Sequence, residues 1–240
     1  MSSLKWIETK NYDELSEIAS DLFEQQIKQK PTSVIGLATG STPIGLYNRL
    51  VERNKAGILT FKDVTTFNLD EYVGIDPNNK ASYHYFMNEH LIDHIDIKKE
   101  NTYIPEGHIN DLEKACHVYE EQIQKSGGID LQVLGIGVNG HIGFNEPGTS
   151  FDSLTHIVEL TQSTIEANQK YFDKPEDMPK SAITMGIKTI LQARKIILLI
   201  SGESKQDAFS RLRTGEITED FPASSLHLHP DVTVIYSGVK

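Results

Sequence analysis

The sequence predicts an α/β fold in which helices flank a doubly wound, mostly parallel sheet, a Rossmann-like arrangement. Short apolar runs rich in β-branched residues recur along the chain, and longer segments with apolar residues at helical spacing lie between them. A strand that is buried on both faces has such a continuous apolar run, and regular alternation of strands with helices is typical of a parallel sheet.

These two patterns place five strands and five helices. The predicted strands are residues 33–38, 64–69, 131–136, 195–200 and 232–236. The predicted helices are residues 12–30, 43–55, 83–94, 112–125 and 205–213.

Length and hydropathy narrow the class of protein. A chain of 240 residues with 38% hydrophobic residues can form one large domain, which we expect to span residues 1–240. Its longest apolar run, residues 196–200, is far shorter than the roughly 20 residues that cross a bilayer. The first residues also lack the apolar core of a signal peptide, so we expect a cytoplasmic protein that does not bind membranes.

The net charge and the cysteine content exclude further classes of protein. The net charge of -11 argues against nucleic-acid binding, whose affinity comes mostly from basic residues that face phosphates. A small anion could still bind at a helix N-terminus assisted by a nearby cation. The single cysteine, Cys116, cannot form an internal disulfide, and we expect it to be a structural thiol.

Three loops follow predicted strands at the edge of the sheet where ligands bind in this fold class. The first contains Gly40, Ser41 and Thr42, with Thr42 suited to cap the next helix and Pro43 suited to its first position. The free N–H groups of such a turn form a phosphate-sized anion site, although an ordinary capped helix has the same pattern. Because no Gly-Lys-Ser/Thr follows, the loop is not a P-loop.

The second loop places two adjacent carboxylates, Asp70 and Glu71, after a strand. Catalytic groups are commonly presented there, and capping of a helix is the alternative role. Side chains alternate along an extended segment, so we expect only one of the two to face the cleft, and the sequence leaves open which one.

The third loop gathers Asn139, His141 and Glu146 in a glycine-rich segment, residues 134–148. Glycines permit sharp turns and close approach to a ligand, and a histidine beside a carboxylate and an amide is suited to proton transfer. The spacing of Gly135, Gly137 and Gly140 also matches a dinucleotide fingerprint, but residues 144–148 would break the long helix that this fingerprint requires.

The remaining histidine pairs do not predict a metal site. His90 and His94 are four residues apart on a predicted helix, and His227 and His229 alternate on a predicted strand. Neither pair comes with the third ligand and the spacing of a known zinc motif, so we expect these side chains to serve packing or to lie at the surface.

Taken together, the three loops resemble the signature segments of the glucosamine-6-phosphate deaminases, also called isomerases. The similarity continues in the same order through further segments and covers essentially the whole chain. The matching segments are residues 37–43, 67–74, 82–87, 135–147, 181–186 and 226–230. The resemblance implies conversion of D-glucosamine 6-phosphate and water to D-fructose 6-phosphate and ammonium, without a metal or an organic cofactor.

The resemblance also implies residue roles. Asp70 would move a proton from C2 towards C1 of the opened sugar, and His141 would open the pyranose ring with Glu146 and Asn139 as its polar partners. Phosphate binding would fall to a second set of residues: Gly40, Ser41, Thr42, Lys170 and Lys205.

Two positions depart from the family pattern, in which many members have Asp in place of Asn139 and Arg in place of Lys170. The amide cannot stabilise an imidazolium by charge, which leaves that role to Glu146, and Lys170 keeps the charge but loses bidentate geometry. The chain ends at Lys240, without the longer C-terminal extension of hexameric, allosteric members, so we expect a monomer or small homo-oligomer.

Two other functions remain as alternatives at this point. The 6-phosphogluconolactonases share the fold and a glycine-rich loop with a histidine, but lactone hydrolysis needs no base such as Asp70. A sugar-phosphate sensor without turnover would not need Asp70, His141 and Glu146 together.

Overall fold

The computed structural model describes residues 4–240, apart from the side chains of residues 163, 167 and 175. The strands are β1 (Lys5–Glu8), β2 (Val34–Leu37), β3 (Thr65–Asn68), β4 (Asp70–Tyr72), β5 (Thr102–Tyr103), β6 (Leu131–Gly135), β7 (His156–Glu159), β8 (Ser181–Thr184), β9 (Lys195–Ser201) and β10 (Val232–Ser237). The α-helices are α1 (Tyr12–Gln29), α2 (Ile44–Lys55), α3 (Tyr83–His90), α4 (Leu112–Lys125), α5 (Gln162–Asn168), α6 (Ile187–Leu191) and α7 (Gln206–Arg213). Shorter 3₁₀ helices span Ile92–His94, Lys99–Asn101, Gln169–Tyr171, Pro175–Asp177, Glu203–Lys205 and Pro222–Leu228.

Seven strands form a central sheet in the order β1-β10-β9-β6-β2-β3-β5, and each neighbouring pair runs parallel. From β2 the chain first adds β3 and β5 on one side, and then β6, β9 and β10 on the other. The direction of winding therefore reverses between β2 and β6, which is the doubly wound arrangement. All four residues of β2 are buried, as expected for a strand covered on both faces. The predicted fold class is confirmed.

The predicted helices agree with the structure except near their ends. The segment predicted as one helix over residues 83–94 ends as α3 at His90. Leu91 leaves helical geometry at φ -143° and is buried, and a 3₁₀ turn follows. The break lets Leu91 and Ile92 both enter the main core.

A second, three-stranded antiparallel sheet was not predicted. Its order is β4-β8-β7, and β4 follows β3 after a single residue, Leu69. Buried Glu120 of α4 links this sheet to its surroundings by accepting hydrogen bonds from Thr155 N (2.8 Å), Thr155 Oγ1 (2.6 Å) and Thr189 Oγ1 (2.6 Å). The small sheet sets the position of Asp70, the first residue of β4.

Within residues 4–240, no helix has both the length and the apolar character that crossing a bilayer requires.

Candidate active site

A cleft of about 420 Å³ lies at the carboxyl ends of β2, β3, β6 and β9. This is the edge of the sheet beside the point where the winding reverses, where ligands bind in doubly wound folds. Its walls bring together eight residues that the sequence had singled out. They are Gly40, Ser41, Thr42, Asp70, Asn139, His141, Lys170 and Lys205. Glu146, the remaining one, lies behind Asn139 rather than in the wall.

The first loop is held by two tyrosines. The hydroxyl of Tyr47 accepts a hydrogen bond from Ala38 N–H and donates to Ala38 O, which secures the end of β2. The hydroxyl of Tyr12 donates to Thr42 O (2.8 Å) and accepts from Gly45 N–H (2.8 Å) in the first turn of α2. Gly40 adopts φ +97°, a left-handed conformation that strains other residues.

The predicted helix cap in this loop is wrong. Pro43 occupies the cap position, and no side-chain hydrogen bond caps α2, which begins at Ile44. The hydroxyl of Tyr12 in α1 instead accepts the hydrogen bond of the Gly45 N–H group, which a capping side chain would otherwise accept. The amino end of α2 still borders the cleft through Thr42 and Pro43, as the anion-site prediction requires.

Two lysines border the same cleft. Lys205 is half-buried at the start of α7, and burial lowers its pKa. Lys170 is exposed, with its Nζ atom 5.1 Å from the centre of the Tyr171 ring. The cleft thus combines a helix N-terminus with two cationic side chains, an arrangement suited to an anion.

Asp70 and Glu71 are both buried but face different surroundings. Asp70 lines the cleft, whereas Glu71 turns towards the first turn of α3. The expectation that one of the pair faces the cleft is confirmed, and that residue is Asp70. Burial, and then the charge of Glu71, raise the pKa of Asp70 to about 8.

The glycines of the third loop allow tight packing around His141. A Cβ atom added to Gly137 would lie 2.1 Å from Cε1 of the His141 ring. The backbone closes on itself here, because Gly137 N–H donates to His141 O (2.9 Å) and Gly140 N–H donates to Gly137 O (3.0 Å). Only a glycine at position 137 leaves room for the imidazole in this place.

A chain of hydrogen bonds leads from His141 to Glu146. Nδ1 of His141 lies 2.7 Å from Oδ1 of Asn139, and Nδ2 of Asn139 donates to Oε2 of Glu146 (2.7 Å). A carboxylate only accepts, so it orients the amide with Nδ2 towards Glu146 and Oδ1 towards the ring. An amide oxygen also only accepts, so Nδ1 carries the proton and Nε2 of neutral His141 has a free lone pair.

Glu146 is held from its other side by Thr164. Oγ1 of Thr164 donates to Oε1 of Glu146, and Oγ1 of Thr161 lies 3.5 Å from the same oxygen. Oε2 of Glu146 lies 3.8 Å from Nδ1 of His141, near enough to favour an imidazolium. Burial lowers the pKa of His141, Glu146 opposes that shift, and the charge of Lys205 adds to it.

Comparison with known proteins identifies the family. Residues 8–235 match the family model described as glucosamine-6-phosphate isomerases/6-phosphogluconolactonase. The chain belongs to this family. The predicted resemblance is confirmed.

Curated relatives in this family are similar over nearly their full length. The glucosamine-6-phosphate deaminase of Lysinibacillus sphaericus is 57% identical over 99% of this chain and 100% of its own length. That of Thermoanaerobacter pseudethanolicus is 53% identical over 97% of this chain and 92% of its own.

Solved structures match the same fold. A monomeric glucosamine-6-phosphate deaminase matches with a TM-score of 0.96 at 50% identity, covering 98% of this chain and 97% of that one. The 6-phosphogluconolactonase of Thermotoga maritima matches with a TM-score of 0.77 at 19% identity, covering 98% of this chain and 100% of that one. The second match shows the fold alone.

Sequence reasoning missed part of the cleft wall. Tyr83, Thr164, Asn168, Tyr171, Ser201 and Ser204 also line it. Ser201 ends β9 and Ser204 immediately precedes Lys205, so both could have been found from the strand-to-helix transition at the end of β9. Tyr83 and Thr164 gave no such signal, because tertiary packing alone brings α3 and α5 to the cleft.

The two histidine pairs serve packing and hydrogen bonding. His90 contacts the Phe86 ring, with ring centres 4.4 Å apart, and Nε2 of His94 lies 2.8 Å from Glu89 O. His227 was expected on a strand but lies in a 3₁₀ helix, with Nε2 2.8 Å from Leu212 O. His229 is buried, with Nε2 2.6 Å from Ala193 O. Among the described residues, no cluster of three or more potential metal ligands occurs.

Proposed function

We propose that the protein converts D-glucosamine 6-phosphate and water to D-fructose 6-phosphate and ammonium. The observation that carries the proposal is the buried carboxyl of Asp70 in the same cleft as the His141 hydrogen-bond chain. The full-length similarity to curated glucosamine-6-phosphate deaminases supports it independently.

The phosphate group would anchor the substrate. The turn formed by Gly40, Ser41 and Thr42 would supply N–H donors at the amino end of α2, and Lys205 would supply a charge. Lys170, which is exposed at the mouth, would add a second charge. An anchored substrate presents its sugar ring to the catalytic groups without further loss of translational freedom.

His141 would open the pyranose ring. Its free Nε2 lone pair would accept the proton of the C1 hydroxyl and return a proton to the ring oxygen, which breaks the C1–O5 bond and leaves an aldehyde. Asn139 keeps Nδ1 protonated, so Nε2 is the nitrogen available for this exchange. Glu146 would favour the transient imidazolium through its charge.

Asp70 would catalyse the isomerisation. As a carboxylate it would remove the C2 proton, which the C1 aldehyde acidifies, and deliver a proton to C1. The raised pKa makes Asp70 a stronger base than an exposed carboxylate. The substrate's C2 ammonium group brings a positive charge that favours ionised Asp70 when the substrate is bound.

Loss of nitrogen completes the reaction. After the proton transfer C2 carries an imine, water adds to C2, and the C2–N bond breaks with the nitrogen leaving as ammonium. These steps are proton transfers and addition of water, which carboxyl and imidazole groups catalyse. The proposed reaction therefore uses neither a metal nor an organic cofactor.

A lactonase is the alternative that the family description includes. Hydrolysis of a lactone needs no base at C2, so the buried Asp70 carboxyl would have no catalytic role in a lactonase. In a sensor that binds without turnover, the hydrogen-bond chain from His141 to Glu146 would have no catalytic role either. The test is to incubate the purified protein separately with glucosamine 6-phosphate and with 6-phosphogluconolactone. We expect ammonium and fructose 6-phosphate from the first, and acid release from the second no faster than in a protein-free control. The reverse result would establish the lactonase.

The proposal extends to assembly and location. We propose a monomer or a small homo-oligomer, in keeping with the relative described as monomeric, and light scattering after size-exclusion chromatography measures this directly. Since a phosphorylated sugar carries charge that opposes passage through a bilayer, we place the protein in the cytoplasm with its substrate.

A further inference from the structure

The buried carboxylate of Glu71 accepts hydrogen bonds on both oxygens. Oε1 receives the N–H groups of Tyr72 (2.9 Å) and Tyr83 (3.1 Å). Oε2 receives His84 N–H (3.0 Å) and lies 2.9 Å from Nδ1 of the His84 ring. Since a carboxylate only accepts, His84 donates from Nδ1. The Glu71 side chain is 3% exposed and lies outside the cleft wall.

These contacts join two parts of the cleft. Tyr83 and His84 are the first two residues of α3, so Glu71 ties β4 to the amino end of that helix. A negative charge is favourable there, because the first N–H groups of a helix have no partner within it. Tyr83 itself lines the cleft, so the Glu71 contacts set its distance from Asp70.

Glu71 also places a negative charge beside Asp70. Its charge is one of the two causes that raise the pKa of Asp70. Burial raises the pKa values of the three phenols near this carboxyl pair, so the phenols stay neutral at the pH where Asp70 titrates. They belong to Tyr72, Tyr83 and Tyr119.

We propose that Glu71 is a positioning residue for Asp70 and that the His84 ring holds Glu71 in place. This inference rests on the proposed function, because it takes Asp70 as the base that acts at C2. Neither Glu71 nor His84 lines the cleft, so we expect neither to contact the substrate. Both act by fixing where the Asp70 carboxylate lies when the C2 proton is removed.

The first test compares two substitutions of His84. His84→Leu removes the ring donor, whereas His84→Asn keeps a side-chain N–H donor close to the position of Nδ1. For His84→Leu we expect kcat to fall about tenfold with KM within about twofold of wild type, since a displaced base affects the transition state more than binding. We expect His84→Asn to recover most of that loss.

The matched control is His117→Leu. His117 makes a similar contact, with Nε2 3.2 Å from Oε1 of Glu121, but on an exposed helix surface. We expect wild-type kcat and KM for this variant. A wild-type kcat for His84→Leu, or an equal loss in His84→Asn, would overturn the inference.

The second test is the pH profile of kcat/KM in Glu71→Gln. In the wild type we expect kcat/KM to fall as the pH drops through about 8, where free Asp70 takes up its proton. Without the Glu71 charge, that acid limb should move to lower pH by about one unit. An acid limb at the wild-type pH would show that the Glu71 charge does not act on Asp70. If Glu71→Gln fails to fold, the comparison of His84→Leu with His84→Asn still tests the inference.

Failure of this inference differs from failure of the proposed function. If the wild type releases no ammonium from glucosamine 6-phosphate, the proposed function is wrong and this inference falls with it. If the wild type is active and the variants have the same kcat and the same pH for the acid limb of kcat/KM, only the positioning role is wrong.

Discussion

Nδ1 of His141 and Oδ1 of Asn139 lie 2.7 Å apart, so a neutral amide stands between the imidazole and the carboxylate of Glu146. The amide orients the ring but adds no charge to it. The nearest carboxylate oxygen lies 3.8 Å from Nδ1. Burial lowers the pKa of His141, and the charge of Glu146 therefore offsets this effect only in part.

The Asn139→Asp substitution should raise the pKa of His141. A carboxylate in direct contact with Nδ1 favours the imidazolium, so we expect the pKa to rise. The Cε1 proton of His141, followed by NMR through a pH titration, measures this pKa. An unchanged or lower value would mean that residue 139 does not contact the ring in solution.

The Asp70→Asn substitution should abolish deamination and spare binding. The amide cannot accept the C2 proton, so we expect kcat to fall by about 10²- to 10⁴-fold. Calorimetry with fructose 6-phosphate should give an affinity close to wild type. Asp152→Asn, at a side chain that is 91% exposed, is the control and should keep normal turnover. Near-normal turnover of Asp70→Asn would assign the C2 base elsewhere.

The same carboxyl should make stability depend on pH. The pKa of Asp70 is about 8 in the folded protein, above its ordinary value of 3.8. Its contribution to stability is fully present below the unfolded value and is lost as the pH rises through about 8, because the buried ionised form is disfavoured. We expect the unfolding temperature of Asp70→Asn to exceed that of wild type by a margin that grows from about pH 5 to about pH 8. A constant margin would contradict the raised pKa.

The Lys205→Met substitution should weaken phosphate anchoring. Removing the half-buried cation should raise KM by about tenfold or more, with a smaller change in kcat, because the contact is made in both ground and transition states. Lys195→Met is the control, since Nζ of Lys195 contacts Gln26 at the opposite end of β9, 3.2 Å from its Oε1 atom. An unchanged KM for Lys205→Met would show that Lys205 does not contribute to phosphate binding.

The Gly137→Ala substitution should impair ring opening. The added methyl group would lie 2.1 Å from the His141 ring and must displace it. We expect kcat with glucosamine 6-phosphate to fall by about tenfold or more, since a small displacement of a catalytic group is costly. An analogue that lacks both the C4 and the C5 hydroxyl can close neither a furanose nor a pyranose ring, and the variant should turn it over at close to the wild-type rate. Equal losses with both compounds would argue against the ring-opening role of His141.

Much of the fold could be predicted because buried parallel strands have a strong local signature. The apolar runs of β2, β3, β6, β9 and β10 were placed within about two residues, which is the usual uncertainty of strand and helix ends. The small sheet was missed because its strands lack such an apolar run. Strand β4 begins with two carboxylates, and no residue of β7 is fully buried. The two-residue strand β5 and the five-residue helix α6 are too short for a periodic pattern to appear.

By itself, the sequence determined the alternation of strands and helices, the three loops at the carboxyl ends of the strands, and the residue types that they carry. These features are local, because periodicity, glycine content and adjacency in the chain are enough to recognise them. Only the tertiary structure decided that Asp70 rather than Glu71 faces the cleft, and that Asn139 stands between His141 and Glu146. It also decided that Tyr12, from another helix, receives the first-turn N–H that Thr42 was expected to bind. Those outcomes depend on contacts between segments far apart in the chain, whose distances and burial no local pattern contains.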